Sequence, residues 1–574
     1  METQKYENML NLALQTPPDE RKKSQNLNVG YEEADNSWDL IVKYNGNLTA
    51  ALMNVSEQIK VSELLGGFAV LNVPERYMDI ISSIPEIEFV EKPKRLYFAL
   101  NQVRSISCVN PLLNPPYNLS GEGVCFALID SGIDYTHPDF RNEDGTTRIL
   151  YLWDQTKPSG EGTPSGYYIG REYTEEEINA AIASGERISE DGSGHGTGVA
   201  GVAAGNGISS NGRYKGIASK SSIIAVKMGT PDTNSFPRTT ELMLAVNYCI
   251  NKAMQLNLPV AVNISFGNNY GSHDGNSLLE AFLNQASSVW KNVICVGTGN
   301  EGARAGHFYG KAQKGVRQRA EFIVGPYESK LNVQLWKNYA DDFEIYLIDP
   351  SGNRITFYQK NESQRFNLGN VEILVYYGEP KPYTINQEIY VDFIPDNMFI
   401  NEGIWAFEII GQNIVVGDYN LWLPVNEGLS SVTEFLRPAA ENTFTVPAAA
   451  SRVITVAAYN GETDSYADFS GRGRVVNNKS LQKPDIAAPG VNIMSTSVGG
   501  GYSLYSGTSF ATPVITGMAC LMMQYGIVQG KDDYLYGEKI KAKLIKGARK
   551  LPGNFVWPNA QLGYGAACLR NSLP

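Results

Sequence analysis

Positive charge is scarce in this sequence. It contains 48 Lys and Arg residues against 60 Asp and Glu residues, which gives a net charge of −12 at pH 7 and a pI of about 5.1. Nucleic acids and anionic lipid surfaces are bound through an excess of basic side chains. We therefore expect neither nucleic acid nor a membrane surface to be a main partner.

Long apolar runs are also absent. No uninterrupted apolar stretch reaches the length of about 18 residues that a membrane-spanning helix needs, so we expect no membrane insertion. The first residues, METQKYENMLNLALQTPPDERKK, show no basic start followed by an apolar segment. This pattern predicts that the chain has no secretory signal and is synthesised in the cytoplasm.

Cysteine and histidine are few and widely spaced. The six cysteines form no CxxC pair, and several lie inside apolar runs, for example Cys295 and Cys520. We expect them to be small buried apolar side chains of a protein made in a reducing compartment. Three of the four histidines have no second metal ligand at a suitable spacing and are expected to be structural, namely His137, His273 and His307.

No metal or other cofactor is predicted. The acidic segment EYTEEE is expected to be the solvated face of a helix rather than a calcium loop, because it lacks the oxygen-ligand spacing of such loops. Calcium remains an alternative that the sequence leaves open.

The chain, at 574 residues, is too long for a single hydrophobic core. Its composition divides it into an N-terminal arm and small domain (1–102), two α/β parts (103–310 and 439–574) and a β-rich segment between them (311–438). Residues 1 to about 36 are polar and are expected to form a loose arm. Short strands and a helix after Pro74 then predict a small α+β unit.

The two α/β parts carry continuous apolar runs that alternate with Gly- and Ala-rich helical segments. Runs such as GVCFALID, PVAVNISFG and NVICVGTGN are typical of strands buried on both faces. They predict a parallel sheet with helices on both faces. Thr174 and Glu177 predict a capping box, and Gly185 predicts the end of that helix.

Residues 311–438 contain short, aromatic-rich, alternating segments separated by turns, for example LNVQLWKN and DFEIYLIDPSG. This pattern predicts an antiparallel β-sandwich. Four of its aromatic residues are expected to fill the sandwich core, a sugar-binding platform being the alternative: Trp336, Tyr346, Trp405 and Phe407.

Three glycine-flanked polar residues stand out in the α/β parts. Asp130 ends the strand CFALID, His195 lies in SGHGTGVAG, and Ser509 begins the apolar helical run of SGTSFATP. Side chains just beyond the carboxyl ends of parallel strands face the ligand crevice of such sheets. A carboxylate, an imidazole and a hydroxyl brought together there predict a nucleophilic triad.

The order Asp, His, Ser with these flanks resembles the subtilases. LIDSGIDYTHPDF is similar to their aspartate box, GHGTGVAG to their histidine box and SGTSFATPVITG to their serine box. VGTGNEG resembles the segment that carries the oxyanion asparagine, here Asn300. The resemblance covers about 121–310 and 438–574 and implies a serine endopeptidase that acts through an acyl-enzyme. The Ser509 N–H at the start of its helix would share the oxyanion with Asn300.

The same resemblance implies where a peptide substrate binds. NISFGN resembles one wall of the binding cleft, VKMG resembles the opposite side, and the segment before Asn300 contributes a further residue. The implied substrate-binding residues are Ser265, Phe266, Gly267, Lys227, Gly229 and Gly299. An extended peptide would lie between the two edges as an added strand.

Two motifs depart from the subtilase pattern. Gly198 stands where the histidine box has a second His, and Phe510 stands where the serine box has Met; Ile515 or a neighbour replaces a later His. These are expected to be packing positions, so we predict a changed fit rather than lost chemistry.

The N-terminal unit resembles a subtilase propeptide, and together with the inserted sandwich it resembles the clostridial Csp germination proteases. The resemblance implies self-cleavage between about Leu96 and Ser107 and a propeptide retained after cleavage. It also implies a jelly-roll insert clamped on the catalytic domain, a cortex hydrolase precursor as substrate, and association with the spore.

Two alternatives remain at this point. In one, the protein is a pseudoprotease or scaffold whose cleft is blocked by the propeptide and whose sandwich binds partners. In the other, the sandwich binds carbohydrate and delivers the protease to a cell wall or spore coat.

Overall fold

The computed structural model describes residues 4–24, 27–94, 103–229, 237–359, 363–382, 384–429, 432–476, 480–553 and 556–574. The chain forms two compact units, 1–100 and 101–574, each described by itself below. Residues 95–102, which include most of the predicted cleavage segment from Leu96 to Ser107, lie outside the described residues.

The N-terminal unit has the predicted α+β composition. Its elements are α1 (Asn8–Gln15), α2 (Pro18–Arg21), β1 (Tyr31–Glu32), β2 (Ser37–Tyr44), α3 (Leu48–Met53), β3 (Lys60–Leu64), β4 (Phe68–Pro74), α4 (Met78–Ile81) and β5 (Ile87–Glu91). The antiparallel sheet has the order β1-β2-β4-β3, and β5 also pairs with β2. Alternate residues of β2, such as Leu40 and Val42, are buried in one core with residues of the helices.

The prediction of a loose arm is wrong for the described part of the first 36 residues. Arg21 is 1% exposed, and its guanidinium lies 4.2 Å from the ring centroid of Tyr31 and 4.8 Å from that of Trp38. It also forms a 3.0 Å ion pair with Glu75. Because this cation stacks on aromatic rings and meets a carboxylate, a polar segment is held in the folded unit.

The second unit contains a central sheet with helices on both faces. Before the sandwich it has α5 (Val103–Ile106), β6 (Cys125–Asp130), β7 (Ile149–Asp154), β8 (Arg171–Thr174), α6 (Glu175–Ser184), α7 (His195–Ala204), β9 (Ser222–Lys227), α8 (Thr239–Gln255), β10 (Val260–Ile264), α9 (Leu278–Ala286) and β11 (Asn292–Gly297). The capping box of Thr174 and Glu177 is confirmed, and Gly185 ends α6 at φ 75°.

The sandwich follows, with strands β12 (His307–Lys311), β13 (Arg317–Val324), β14 (Leu331–Asn338), β15 (Asp342–Ile348), β16 (Arg354–Phe357), β17 (Gln364–Leu368), β18 (Val371–Tyr377), β19 (Asn386–Pro395), β20 (Gly403–Asn413), β21 (Asp418–Trp422) and β22 (Glu434–Phe435). The antiparallel strands form sheets of order β12-β21-β14-β19-β18-β17 and β16-β15-β20-β13-β22. The first strand begins slightly before the predicted boundary at residue 311.

The core of the sandwich lies between these two sheets, as the alternating sequence predicts. Trp405 and Phe407 are fully buried in it, whereas Tyr346 is half-buried beneath the Arg354 guanidinium. Trp336 is 5% exposed and lies outside this core. Three of the four aromatic residues are thus too deeply buried to offer a ring face to a sugar.

The chain returns to the α/β layer with β23 (Ile454–Asn460), β24 (Ser465–Tyr466), β25 (Arg474–Val476), β26 (Ser480–Gln482), β27 (Ile486–Pro489), β28 (Ile493–Ser497), β29 (Gly501–Tyr505), α10 (Thr508–Met523), α11 (Gly537–Gly547) and α12 (Leu569–Ser572). The central sheet has the order β24-β23-β11-β10-β6-β9-β7-β8, with β27 beside β23. Its inner strands are parallel, as predicted.

The two faces of this sheet are covered by different helices. On β6, Phe126 and Leu128 pack with residues of α7 and α10, whereas Ala127 and Ile129 pack with residues of α8 and α9. Because successive strand residues point to opposite faces, the continuous apolar runs serve two cores.

Helix α10 continues through a π-helical turn to Val528. Most of Thr508–Val528 is buried in the protein. In the described part of the chain it alone is long and apolar enough to cross a membrane, but its apolar surface is already covered by the sheet and α7.

The prediction that every cysteine is a free buried side chain is wrong for two of them. Cys108 and Cys568 form a disulfide that spans 460 residues, with a Cα–Cα distance of 4.9 Å. The prediction is confirmed for the four free and buried cysteines, Cys125, Cys249, Cys295 and Cys520.

Candidate active site

Four neighbouring parallel strands deliver predicted site residues to one edge of the sheet. In the order β11-β10-β6-β9, Asn300 lies three residues after β11, Ser265 follows β10, Asp130 ends β6 and Lys227 ends β9. Parallel strands have their carboxyl ends at the same edge, so their sequence separation disappears in the fold.

Asp130 and His195 are in direct contact. Asp130 is fully buried, and its Oδ1 lies 2.7 Å from His195 Nδ1. The same Oδ1 accepts a 2.8 Å hydrogen bond from the Ser131 N–H. Gly196 permits this approach, since a Cβ there would lie 2.1 Å from the Gly132 carbonyl oxygen. The carboxylate therefore orients the imidazole so that its Nε2 is left for a reacting group.

A second carboxylate supports the histidine. Asp191 is 4% exposed and accepts hydrogen bonds from the Thr197 N–H at 2.8 Å and the Gly194 N–H at 3.0 Å. It thereby satisfies free N–H groups at the start of α7. Burial lowers the pKa of His195, but the negative charges of Asp130 and Asp191 and the Asp130 hydrogen bond together raise it above 6.5.

Ser509 is the second residue of α10 and is half-buried. Its hydroxyl donates to the Ser265 carbonyl oxygen at 3.5 Å. The structure contains no hydrogen bond between Ser509 and His195 among its described residues. The start of α10 nevertheless lies near His195, because the ring of the next residue, Phe510, has its centroid 5.4 Å from that of His195. Contacts between a nucleophile and its base are often long without substrate, and rotation of the Ser509 side chain redirects its hydroxyl.

Pro513 explains a second contact between Ser265 and Ser509. It lies inside α10 and has no N–H with which to bond the carbonyl four residues earlier, which is that of Ser509. The Ser265 hydroxyl donates to this freed carbonyl at 3.2 Å. The segment after β10 is thus attached to the turn that carries Ser509, a role for Ser265 that the sequence did not reveal.

The Asn300 side chain is held through its amide oxygen. Its Oδ1 accepts hydrogen bonds from the Thr508 N–H at 3.0 Å and the Thr508 hydroxyl at 3.2 Å. A Cβ added to Gly507 would lie 3.6 Å from Asn300 Nδ2 and 3.7 Å from the Ser509 amide nitrogen. Two N–H donors therefore border one small space at the start of α10, where the helix dipole is positive.

The predicted substrate-binding residues are placed differently on the two sides. Ser265, Phe266 and Gly267 follow β10 beside Ser509, and Gly299 precedes Asn300. On the opposite side, Lys227 is 3% exposed and its ammonium donates to the Glu190 carbonyl oxygen at 2.8 Å. Gly229 is also buried. The Lys227 side chain is therefore committed to the protein interior. The Lys227 carbonyl oxygen also accepts from the Gln155 N–H at 2.9 Å, so neither group is turned toward a peptide.

Gly198 and Phe510, two residues that depart from the subtilase motifs, lie next to one another. A Cβ on Gly198 would lie 3.0 Å from both Phe510 Cε1 and Tyr505 Cζ. The rings of Phe510 and Tyr505 stack at 4.5 Å. The larger residue at 510 thus fills the room that a side chain at 198 would need, which agrees with the predicted packing role.

The three remaining histidines are buried among protein groups. His137 Nδ1 accepts from the Asp139 N–H at 3.1 Å. His273 and His307 stack on Trp422 at centroid distances of 4.3 and 4.8 Å. Burial lowers the pKa of His273 and of His307 to about 4, so both are neutral at pH 7. No group of three or more acidic, His or Cys side chains able to hold a metal ion occurs within the described ranges.

Comparison with known proteins gives matches to both units of the chain. The subtilase family model matches residues 121–364 and 429–565, and the Csp protease B prodomain model matches residues 4–94. The solved structure of the Clostridium perfringens CspB protease is 35% identical, with a TM-score of 0.75, over 82% of this chain and 96% of that one.

Curated relatives are more distant. The minor extracellular protease Vpr of Bacillus subtilis (strain 168) is 26% identical over 79% of this chain and 52% of its own length. Serine protease AprX from the same strain is 36% identical over 23% of this chain and 32% of its own length. The chain thus spans about half or less of these relatives. Because the subtilase model matches most of the second unit and the Csp protease B prodomain model matches the first, the chain belongs to the subtilase family and is similar to its Csp proteases.

Proposed function

We propose that the protein is a serine endopeptidase in which Asp130, His195 and Ser509 form the catalytic triad. The observation that carries this proposal is the 2.7 Å contact between His195 Nδ1 and Asp130 Oδ1 at the sheet edge that also holds the Asn300 amide. His195 Nε2 accepts the Ser509 proton as the hydroxyl oxygen attacks the substrate carbonyl carbon. The carbonyl π electrons move to oxygen, and this oxyanion is bound by the Asn300 amide and the Ser509 N–H.

The intermediate then breaks its C–N bond. The imidazolium returns the proton to the leaving nitrogen, so a free amine departs and an acyl-Ser509 ester remains. Water attacks this ester by the same route and restores the enzyme. The residues supply both nucleophile and base, so the proposed chemistry calls for no cofactor.

The first 100 residues act as a propeptide in this proposal. Support comes from the match of residues 4–94 to the Csp protease B prodomain. The protein cleaves itself in the segment from about Leu96 to Ser107, and its own propeptide and a protein precursor are its substrates. By its likeness to a Csp protease, the precursor is a spore cortex hydrolase and the enzyme is synthesised in the cytoplasm and associated with the spore.

The test compares the wild type with Ser509→Ala after expression of the full chain. We expect the wild type to release a fragment of about 100 residues, the size of the first unit, and to be labelled by a fluorophosphonate. Ser509→Ala will remain full length and unlabelled, because it lacks the oxygen that attacks. Ser506→Ala, which removes a nearby exposed hydroxyl, serves as the control and will behave as wild type.

A pseudoprotease is the second candidate, and one contact favours it: the Ser509 hydroxyl faces the Ser265 carbonyl rather than His195. A wild type that is neither cleaved nor labelled would support this candidate and reject the protease. Cleavage of Ser509→Ala to the same extent as wild type would reject self-processing.

Loss of the Asn300 amide provides a separate prediction. In Asn300→Ala, kcat will fall about 10²–10³-fold with little change in KM, because the donor acts on charge that develops only in the transition state. Removal of the corresponding asparagine side chain from a subtilisin lowers kcat by about this factor. Steady-state kinetics on a peptide substrate measure both constants. A fall in kcat below threefold would remove Asn300 from the oxyanion site.

A further inference from the structure

Gly267 and Gly299, two of the predicted substrate-binding glycines, face the same side chain. A Cβ added to Gly267 would lie 2.1 Å from Thr445 Oγ1, and a Cβ added to Gly299 would lie 2.6 Å from the same atom. Thr445 therefore lies between the segment that follows β10 and the segment that follows β11.

The backbone around Thr445 joins these two segments. The Thr445 N–H donates to the Thr298 carbonyl at 2.9 Å. Val446 and Asn268 exchange two hydrogen bonds, of 2.8 and 3.0 Å, between their N–H and carbonyl groups. Thr445, which is 4% exposed, thus fills the space between the two segments on the side of the protein interior. We call Thr445 at this position the cleft floor.

The cleft floor lies next to the proposed nucleophile. Ser265, two residues before Gly267, contacts both the hydroxyl and the carbonyl of Ser509, and Asn300 directly follows Gly299. A substrate carbonyl positioned for attack by Ser509 and for bonding to Asn300 therefore has its own side chain directed between the two segments. The depth available to that side chain ends at Thr445.

We propose that Thr445 restricts the substrate residue that supplies the attacked carbonyl to a short side chain, such as alanine or serine. This inference rests on the proposed function. The methyl and hydroxyl groups of Thr445 fill space that a leucine or phenylalanine would need, and a close-packed floor does not yield without cost. Methylene-sized differences in such pockets change kcat/KM by about 10–200-fold.

The test uses the full chain after self-processing and four peptides that differ only in the residue before the scissile bond: Ala, Ser, Leu or Phe. Wild type will hydrolyse the Ala and Ser peptides with kcat/KM at least about tenfold above the Leu and Phe peptides. In Thr445→Gly, the ratio of kcat/KM for Leu to that for Ala will rise about 10–100-fold. Thr445→Ser removes only a methyl group and will raise the same ratio by a smaller factor.

Several results would overturn the inference. A higher kcat/KM of the wild type for the Leu or Phe peptide would do so. Variants that change kcat/KM for all four peptides by the same factor would also overturn it, because a merely structural residue affects every substrate alike. If Thr445→Gly does not fold, the ratio in Thr445→Ser decides. A wild type that is labelled by fluorophosphonate but hydrolyses none of the peptides also rejects it; a wild type that is neither labelled nor active rejects the proposed function and this inference together.

Discussion

Asp130→Asn will lower kcat by about 10⁴-fold, the scale on which loss of the triad carboxylate acts in serine proteases, subtilisin among them. In the native protein, Asp130 Oδ1 accepts from His195 Nδ1 at 2.7 Å and from the Ser131 N–H at 2.8 Å. An asparagine can instead present its NH₂ group to the imidazole. The ring proton then moves to Nε2, which can no longer take the Ser509 proton. Steady-state kinetics measure the change, and fluorophosphonate labelling will slow in parallel.

Asp191→Asn is the matched control because it removes the same charge from a carboxylate that does not touch the imidazole. Protonated His195 is inactive as a base, so kcat/KM falls as pH drops through the His195 pKa, which the two carboxylates hold above 6.5. With one negative charge gone, that pKa will decrease and the acidic limb will move to lower pH, while kcat on the plateau will fall less than tenfold. Equal losses of kcat in both variants would contradict a distinct role for Asp130.

The side chains proposed as the triad could be located from the sequence because each carries its own local signature. A strand ending in Asp130, a helix start at His195 and a helix start at Ser509 are each readable over about ten residues. The sheet order then places them together, since parallel strands share one carboxyl edge. Local patterns therefore sufficed for the capping box of α6 and for the alternation of the sandwich strands as well.

The contacts that refine the site could not be predicted in this way. Ser265 meets Ser509 across 244 residues, and Thr445 reaches two glycines from a segment beyond the sandwich. Neither residue has a chemical signature, because a hydroxyl in a loop is common. Their roles arise from which loops the fold brings together. Asp191 could have been found, as an acidic residue just before a helix start is a recognised capping signal.

The prediction of a loose N-terminal arm failed for a related reason. Its composition is polar, and low apolar content usually predicts disorder. A single buried arginine, stacked on two aromatic rings and paired with Glu75, supplies a long-range anchor that composition does not register.

The second large effect concerns stability: loss of the Cys108–Cys568 disulfide will lower the free energy of unfolding by about 3–5 kcal/mol. A cross-link restricts the unfolded chain more as the enclosed loop grows, and this one spans 460 residues. It attaches the residues just after the proposed cleavage segment to the C-terminal helix α12. Without it, the new N-terminus created by cleavage can detach from α12, so inactivation by heat will be faster.

The measurement is the guanidinium or thermal midpoint of Cys108→Ala, Cys568→Ala and the double variant, with and without dithiothreitol. If the two sulfurs are bonded, each single variant loses the full effect, the double variant loses little more, and dithiothreitol destabilises only the wild type. Thiol titration of the denatured, unreduced wild type should find four thiols, matching the four free cysteines. Six thiols would instead show that all six cysteines are reduced, as the sequence predicts. Four would indicate that the protein works in an oxidising environment, because structural disulfides persist there.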